Sequence, residues 1–248
     1  MTAPANDRSR LHSALSDRQA LALIQESQSA LNLMRDSIDA IRGLRHPLLH
    51  GDAIFTLGSI GVEKIAKILL GCAAVERAGA WPSMKTLLGW GHDIDKLSRM
   101  VTETARGGIG QSTATGYSET VLSRIEQSTI LPLLFATFSR YGRSGRFHYL
   151  DVLATDELGD FESPHNHWSR LENHVTYSDP ATFGGPISGD WGDLDAQLVH
   201  LAEVIADELE IWWFAVHICA LQGRFGSLGK RAAFVIWDPA RAVPREFA

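Results

Sequence analysis

Two groups of residues have types and spacings that could do chemistry. The first is Arg143 and His148, in the stretch Ser139-Arg140-Tyr141-Gly142-Arg143-Ser144-Gly145-Arg146-Phe147-His148. A guanidinium offers paired N–H donors to an oxyanion, and an imidazole titrating near neutrality can carry a proton. The second is His165-Asn166-His167 with His174. Residues two apart on a strand share a face, so two imidazoles could converge on one metal ion, with Asp156, Asp160 or Glu162 as a carboxylate ligand. That arrangement defines one alternative, a metal-dependent hydrolase. Ten histidines are spread over the chain, so such a group arises easily by accident, and no metal or cofactor is assigned from it.

Other templates are missing or incomplete. There is no GxxxxGK[ST] phosphate loop, no strand followed by GxGxxG, no HExxH and no GxSxG. Gly107-Gly108-Ile109-Gly110-Gln111-Ser112 has the look of a phosphate cradle but lacks both the lysine and a preceding strand, and reads as a flexible loop. Trp81, Trp90, Trp168 and Trp191 could stack on bases, although tryptophans near loops more often cover the edge of a core.

The 248 residues suffice for a core without staples, and 45% hydrophobic against 21% charged residues is a globular balance. A formal charge of −6 removes any global basic field, so contact with a nucleic acid would need a local patch. Of the 23 basic residues 18 are arginine, which suits bidentate oxyanion contacts, although a GC-rich genome gives the same bias. Cys72 and Cys219 sit in apolar helical stretches and read as buried thiols rather than a disulfide or a metal clip. No apolar run reaches the roughly 18 residues of a membrane span, and residues 1–15 hold no secretory h-region. A cytoplasmic protein without a membrane partner is the expectation.

Helical periodicity dominates the elements that must position these residues. Ser16-Asp17-Arg18-Gln19 fits a capping box ahead of a stripe at Leu21, Ile24, Leu31, Met34, Ile38 and Ile41, closed by Gly43. A second helix near 53–78 carries Ile54, Leu57, Gly61, Ile65, Ile68, Leu69 and Cys72. Gly58 and Gly61 would admit a close neighbour, and Glu63 and Lys67 suit an i,i+4 pair. Gly91-His92-Asp93 opens a third helix with Asp93 as its cap and Ile94, Leu97 and Val101 inward. A fourth starts near Ser118, and Pro132 kinks it or opens another. Residues 139–192 lose the period and read as an irregular excursion holding at most a short β-hairpin, with Arg146–Val152 as a strand.

Residues 193–223 form a long last helix, apolar all round at Trp212-Trp213-Phe214, which implies deep burial or a subunit interface. The basic tail 224–248 includes a candidate edge strand at Ala233–Trp237. The fold class is therefore mainly α: a leader (1–15), then a single helical bundle over 16–248, with core helices over 16–138. The long last helix is too apolar to stand apart from it.

The order of three features resembles the HEPN superfamily: Glu63-Lys64 within Gly61–Leu70, Gly91-His92-Asp93 with Leu97, and Arg143-Ser144-Gly145-Arg146-Phe147-His148, over about residues 18–152. Arg45-His46-Pro47-Leu48-Leu49-His50 has the same Arg-to-His spacing, and only the order selects the later pair. The resemblance implies a metal-independent endoribonuclease in which Arg and His from two protomers share a cleft. RNA carries its own nucleophile, the 2′-OH, so His148 would be the acid/base group and Arg143 the phosphate clamp, with Arg140 and Arg146 on flanking phosphates. The second protomer would be met through the apolar stretch near Trp212 or through the fourth helix. The family sets this motif on a helix, whereas Gly142 and Gly145 predict a loop or turn. A non-catalytic helical module binding a partner protein, RNA or nucleotide is the other alternative.

Overall fold

The computed structural model describes residues 14–108, 112–143, 145–183 and 191–247. Most of the leader, residues 109–111 of the glycine-rich loop, Ser144 inside the Arg–His stretch, residues 184–190 of the expected excursion and the Trp191 side chain lie outside the described residues.

The described chain is helical and contains no strand. The first helix, α1 (Asp17–Arg42), starts at the expected capping box. Ser16 Oγ accepts from the Gln19 N–H at 3.2 Å, and Gln19 Oε1 accepts from the Ser16 N–H at 2.9 Å. Its buried stripe holds Ala30, Met34, Ile38 and Ile41, whereas Leu21 and Ile24 are exposed in the first turns, where Leu23 packs partly buried against the core.

Helix α2 (Pro47–Ala78) is the central element, begun by a proline in its first turn and ended at Gly79, whose φ of 72° is left-handed. Its two glycines act as the sequence predicts. A Cβ on Gly61 would stand 3.2 Å from the Met34 backbone nitrogen of α1, and one on Gly58 would stand 2.3 Å from the Phe138 ring. Short α3 (Met84–Trp90) interrupts the expected linker and buries nothing. Helix α4 (Ile94–Gly107) is capped by Asp93, which accepts from the Lys96 N–H at 3.0 Å, and buries Ile94, Leu97 and Val101 as expected.

Helix α5 (Thr115–Gln127) is followed by a separate α6 (Leu131–Arg143), so Pro132 opens a new helix rather than kinking one. Ser128 supplies the junction, its Oγ accepting from the Leu131 N–H at 3.1 Å.

The described residues of 139–183 are largely helical, unlike the irregular excursion expected. α6 runs on to Arg143, a 3-10 turn spans Gly145–Phe147, and α7 (His148–Thr155) replaces the strand expected at Arg146–Val152. Helix α8 (Pro164–Ser178) has a side-chain cap at Ser163, Pro164 in its first turn, and a buried stripe of His165, Trp168, Leu171 and Val175. A single turn, α9 (Pro180–Phe183), follows.

Helix α10 (Trp191–Leu221) is the long helix expected over 193–223, though not the last one, since α11 (Gly226–Ile236) takes the place of the edge strand expected at Ala233–Trp237. The burial of Ala232, Ala233 and Ile236 follows a helical period rather than alternation. Between the two helices Arg224 is buried and donates to the carbonyls of Ala105 at 3.0 Å and Thr115 at 3.4 Å, fastening the end of α4 to the start of α5.

One continuous hydrophobic core joins these elements. α1 and α2 pack along each other, α11 lies against both, α10 lies on α1 and α11, and α4, α6 and α8 cover the other flank of α2. Trp212, Trp213 and Phe214 belong to this core. Cys72 and Cys219 are free and buried, and burial pushes both thiols up to about 12. No described helix is long and apolar enough to cross a membrane.

Candidate functional site

The three sequence features that stand far apart along the chain meet beside the middle of α2, at Glu63. Glu63 on α2 accepts from Lys67 Nζ at 2.6 Å, the predicted i,i+4 pair, and the same carboxylate lies 3.0 Å from Nδ1 of His92. Neighbouring Asp93 divides its oxygens between two tasks. Oδ1 caps α4, and Oδ2 lies 3.4 Å from Nη1 of Arg143 at the end of α6. Ser139, one turn earlier in α6, accepts from the Asp95 N–H at 3.0 Å and donates to Asp93 at 3.4 Å. Gly142 lies at this contact, where a Cβ would stand at an ordinary packing distance, 3.7 Å, from both the His92 carbonyl oxygen and Ser59 Cβ. Lys64, the second residue of the Glu-Lys pair, faces the other way and is paired with Glu26 of α1 at 2.5 Å.

The Arg–His stretch sits on a junction of helices: Gly142 lies within α6 instead of in a loop, and the turn that the glycines predict is found at Gly145. Arg143 closes α6 and His148 opens α7, with the 3-10 turn between them. The Arg143 side chain is 63% exposed, so its pairing with Asp93 contributes little energy and leaves the guanidinium accessible. His148 is half-buried and makes no hydrogen bond to any described residue; its ring meets Tyr149 edge-on, centroids 5.1 Å apart. Arg146 is exposed, with only a 3.5 Å contact from Nη2 to the Gly142 carbonyl. Arg140 differs from these. Its Nε donates to the Glu162 carbonyl at 2.7 Å and its guanidinium lies 4.7 Å over the Phe161 ring. Burial, followed by the charge of Arg143, lowers its pKa. Arg140 is thus occupied in holding the segment before α8, and the cations presented outward are Arg143 and Arg146.

The histidines of the alternative site are not brought together, because the strand that would align them is the helix α8. Successive helical residues are about 100° apart, which places His165 and His167 on different faces. His165 is buried against Phe55. His167 lies 3.8 Å from Glu162, and burial, followed by the charge of Arg170, lowers its pKa. His174 bonds Thr129 Oγ1 at 2.9 Å. Asp156 ends α7 in a left-handed conformation, and Glu162 is taken up by Arg170. Among the described residues no three His, Cys, Asp or Glu side chains are grouped to hold a metal ion.

Other sequence candidates have structural roles. In the second Arg–His spacing, Arg45 donates to the Arg42 and Leu44 carbonyls and so finishes α1. Trp168 is a core residue, and Trp81 and Trp90 pack partly buried against the core, with Trp81 seated over Gly71. Trp212 is buried, so the apolar stretch of α10 is not a surface on which a second protomer could dock. Sequence reasoning passed over Ser139 and Tyr149. Nothing in the spacing marks Ser139, whereas Tyr149 was legible as the aromatic neighbour of His148. Compared with protein-family models, curated proteins and solved structures, the chain matches none.

Proposed function

We propose that this chain is a HEPN-like helical protein that cleaves RNA without a metal ion, with His148 as the acid/base group and Arg143 as the phosphate clamp. The observation that carries this reading is the convergence of Glu63, His92, Asp93 and Arg143, from three separated stretches of sequence, five residues along the chain from a histidine whose ring nitrogens are unengaged by described residues. The residue types suit a reaction in which the substrate supplies its own nucleophile. The imidazole takes the 2′-OH proton as the 2′-oxygen bonds to phosphorus, and returns it to the 5′-oxygen as the P–O5′ bond breaks, while the accessible guanidinium holds the charge that builds on the phosphoryl oxygens. Arg146 adds a contact to a neighbouring phosphate, and Arg140 supports the site from behind through Phe161 and Glu162. The dimer that the resemblance implies would be met on the outward side of His148, where Phe147, Leu150 and Leu153 are exposed.

The test is cleavage of single-stranded RNA by the full chain with EDTA present, beside His148→Ala and Arg143→Ala. Loss of cleavage in both variants is the expected result. No cleavage by any of the three removes the proposal.

A second reading, a module that binds a protein partner, is favoured by one specific feature. Phe147, Tyr149, Leu150, Leu153, Leu158 and Phe161 are all more than half exposed within fifteen residues, a density that marks interaction surfaces. A protein that remains a monomer and leaves RNA intact would favour this reading over the enzyme.

A further inference from the structure

Helix α7 begins at His148, has eight residues and buries none of its side chains. A helix that short does not hold its shape alone in water, so its attachment to the bundle decides where the His148 imidazole stands. The chain enters α7 from the turn at Gly145, which is buried against Pro164, and the side chains of α7 itself are attached through a ladder of rings. Phe55 on α2, fully buried, meets His165 of α8 edge-on with centroids 5.3 Å apart. His165 meets Tyr149 of α7 at 5.9 Å, and Tyr149 meets His148 at 5.1 Å with the planes 80° apart. His165 is nine-tenths buried and its Nδ1 has no hydrogen-bond partner, so ring packing rather than hydrogen bonding at that nitrogen holds it in place. Gly51 of α2 makes the room: a Cβ there would stand 3.2 Å from His165 Nε2 and 3.0 Å from the Phe55 ring.

We infer that Tyr149, seated on His165, is a positioning residue that fixes the His148 imidazole relative to Arg143. The inference rests on the role proposed for His148. Tyr149 touches the imidazole by its ring, so the ring is what the arrangement needs and the hydroxyl is dispensable. Removing the ring leaves His148 on a helix without a seat, and a displacement of about 1 Å in a catalytic group can cost on the order of a hundred-fold in rate.

The experiment compares the full-length wild type with Tyr149→Ala, Tyr149→Phe and His165→Phe by two readouts. One is the imidazole NMR signals of the histidine-labelled protein, those of His148 being identified by their loss in His148→Ala. The other is the pH profile and the separate kcat and KM for RNA cleavage in EDTA. Tyr149→Ala is expected to shift the His148 signals and their titration, and to lower kcat about ten- to a hundred-fold with little change in KM. Tyr149→Phe and His165→Phe, which keep a ring at each rung, are expected to follow the wild type in both readouts. Because Tyr149 is exposed, an unchanged thermal midpoint of Tyr149→Ala shows that the bundle is intact. Unmoved His148 signals in Tyr149→Ala overturn the inference, as does a Tyr149→Phe as impaired as Tyr149→Ala. If the wild type cleaves no RNA, the functional proposal falls, and the NMR readout alone still decides whether Tyr149 positions His148.

Discussion

Arg143, the last residue of α6, lies 3.4 Å from Asp93, the residue that caps α4, so one carboxylate both starts a helix and steers the guanidinium of the candidate site. The two tasks can be separated. Asp93→Asn keeps an oxygen for the Lys96 N–H and loses only the charge facing Arg143, whereas Asp93→Ala loses both. Urea unfolding should show Asp93→Ala destabilised by about 1 kcal/mol and Asp93→Asn by less than about 0.5 kcal/mol. Equal losses would mean that the pairing with Arg143, not the cap, holds the stability.

Gly58 and Phe138 set the distance between α2 and α6. In an open helical position Gly→Ala stabilises by about 1 kcal/mol. Here the new methyl would meet a ring that is fully buried and has nowhere to swing, and overpacking costs about 1–3 kcal/mol. Gly58→Ala is expected to lower stability by about 1–2 kcal/mol, and less when Phe138→Leu is already present. A stabilised Gly58→Ala in thermal unfolding would contradict the close approach.

His217 lies under the tail, its Nδ1 3.0 Å from the Ala233 carbonyl and its ring stacked on Trp237. Burial lowers its pKa from 6.5 to about 4, an effect that the bond to Ala233 opposes. Between those values the unfolded chain binds the proton and the folded chain does not. The contribution is therefore fully present above about pH 6.5 and is lost as pH falls towards 4, by about 3 kcal/mol in total. Calorimetry across this range should find His217→Phe less steeply dependent on pH than the wild type. Equal slopes would remove His217 as the cause.

Glu210 on α10 lies between two arginines, 2.6 Å from Arg42 Nη2 and 2.7 Å from Arg241 Nη1, and is itself largely buried. Arg42 keeps Glu203 and Asp207, and Arg241 keeps Asp39 at 2.5 Å. Glu210→Gln should therefore cost about 2 kcal/mol, below the usual cost of breaking a buried pair. It should also speed proteolytic cutting within residues 238–247, which Arg241 ties down. An unchanged cutting rate would show that the tail is held by Trp237 and Phe247 on Phe214 instead.

Much of the bundle was legible in the sequence, and what was not has local causes. The Ser16–Gln19 box, the Asp93 cap and the close approaches at Gly58 and Gly61 are dictated by residue chemistry and appear as expected. Among the described residues of 139–183, glycine and aromatic content hides a weaker helical signal. Ser163-Pro164 followed by His165, Trp168, Leu171 and Val175 is a capped helix at a regular period. At Ala233–Trp237 a short apolar run fits helix and strand alike, and the chain takes the helix as far as Ile236. Within the site, the order of features in sequence indicated which residues to compare. Their meeting depends on the bonds of Ser139 to Asp95 and Asp93 and of Arg143 to Asp93, contacts between residues more than forty positions apart that no spacing encodes.

The most direct measurement uses two oligonucleotides of one sequence, all-ribose and all-deoxyribose, incubated with the wild-type chain and with His148→Ala in EDTA, the products being analysed for their end groups. Catalysis by Arg143 and His148 on a substrate-borne nucleophile predicts that only the ribose strand is cut, that it ends in a 2′,3′-cyclic phosphate, and that His148→Ala leaves it intact. Cutting of the deoxyribose strand, undiminished cutting by His148→Ala, or an intact ribose strand with the wild type would contradict it.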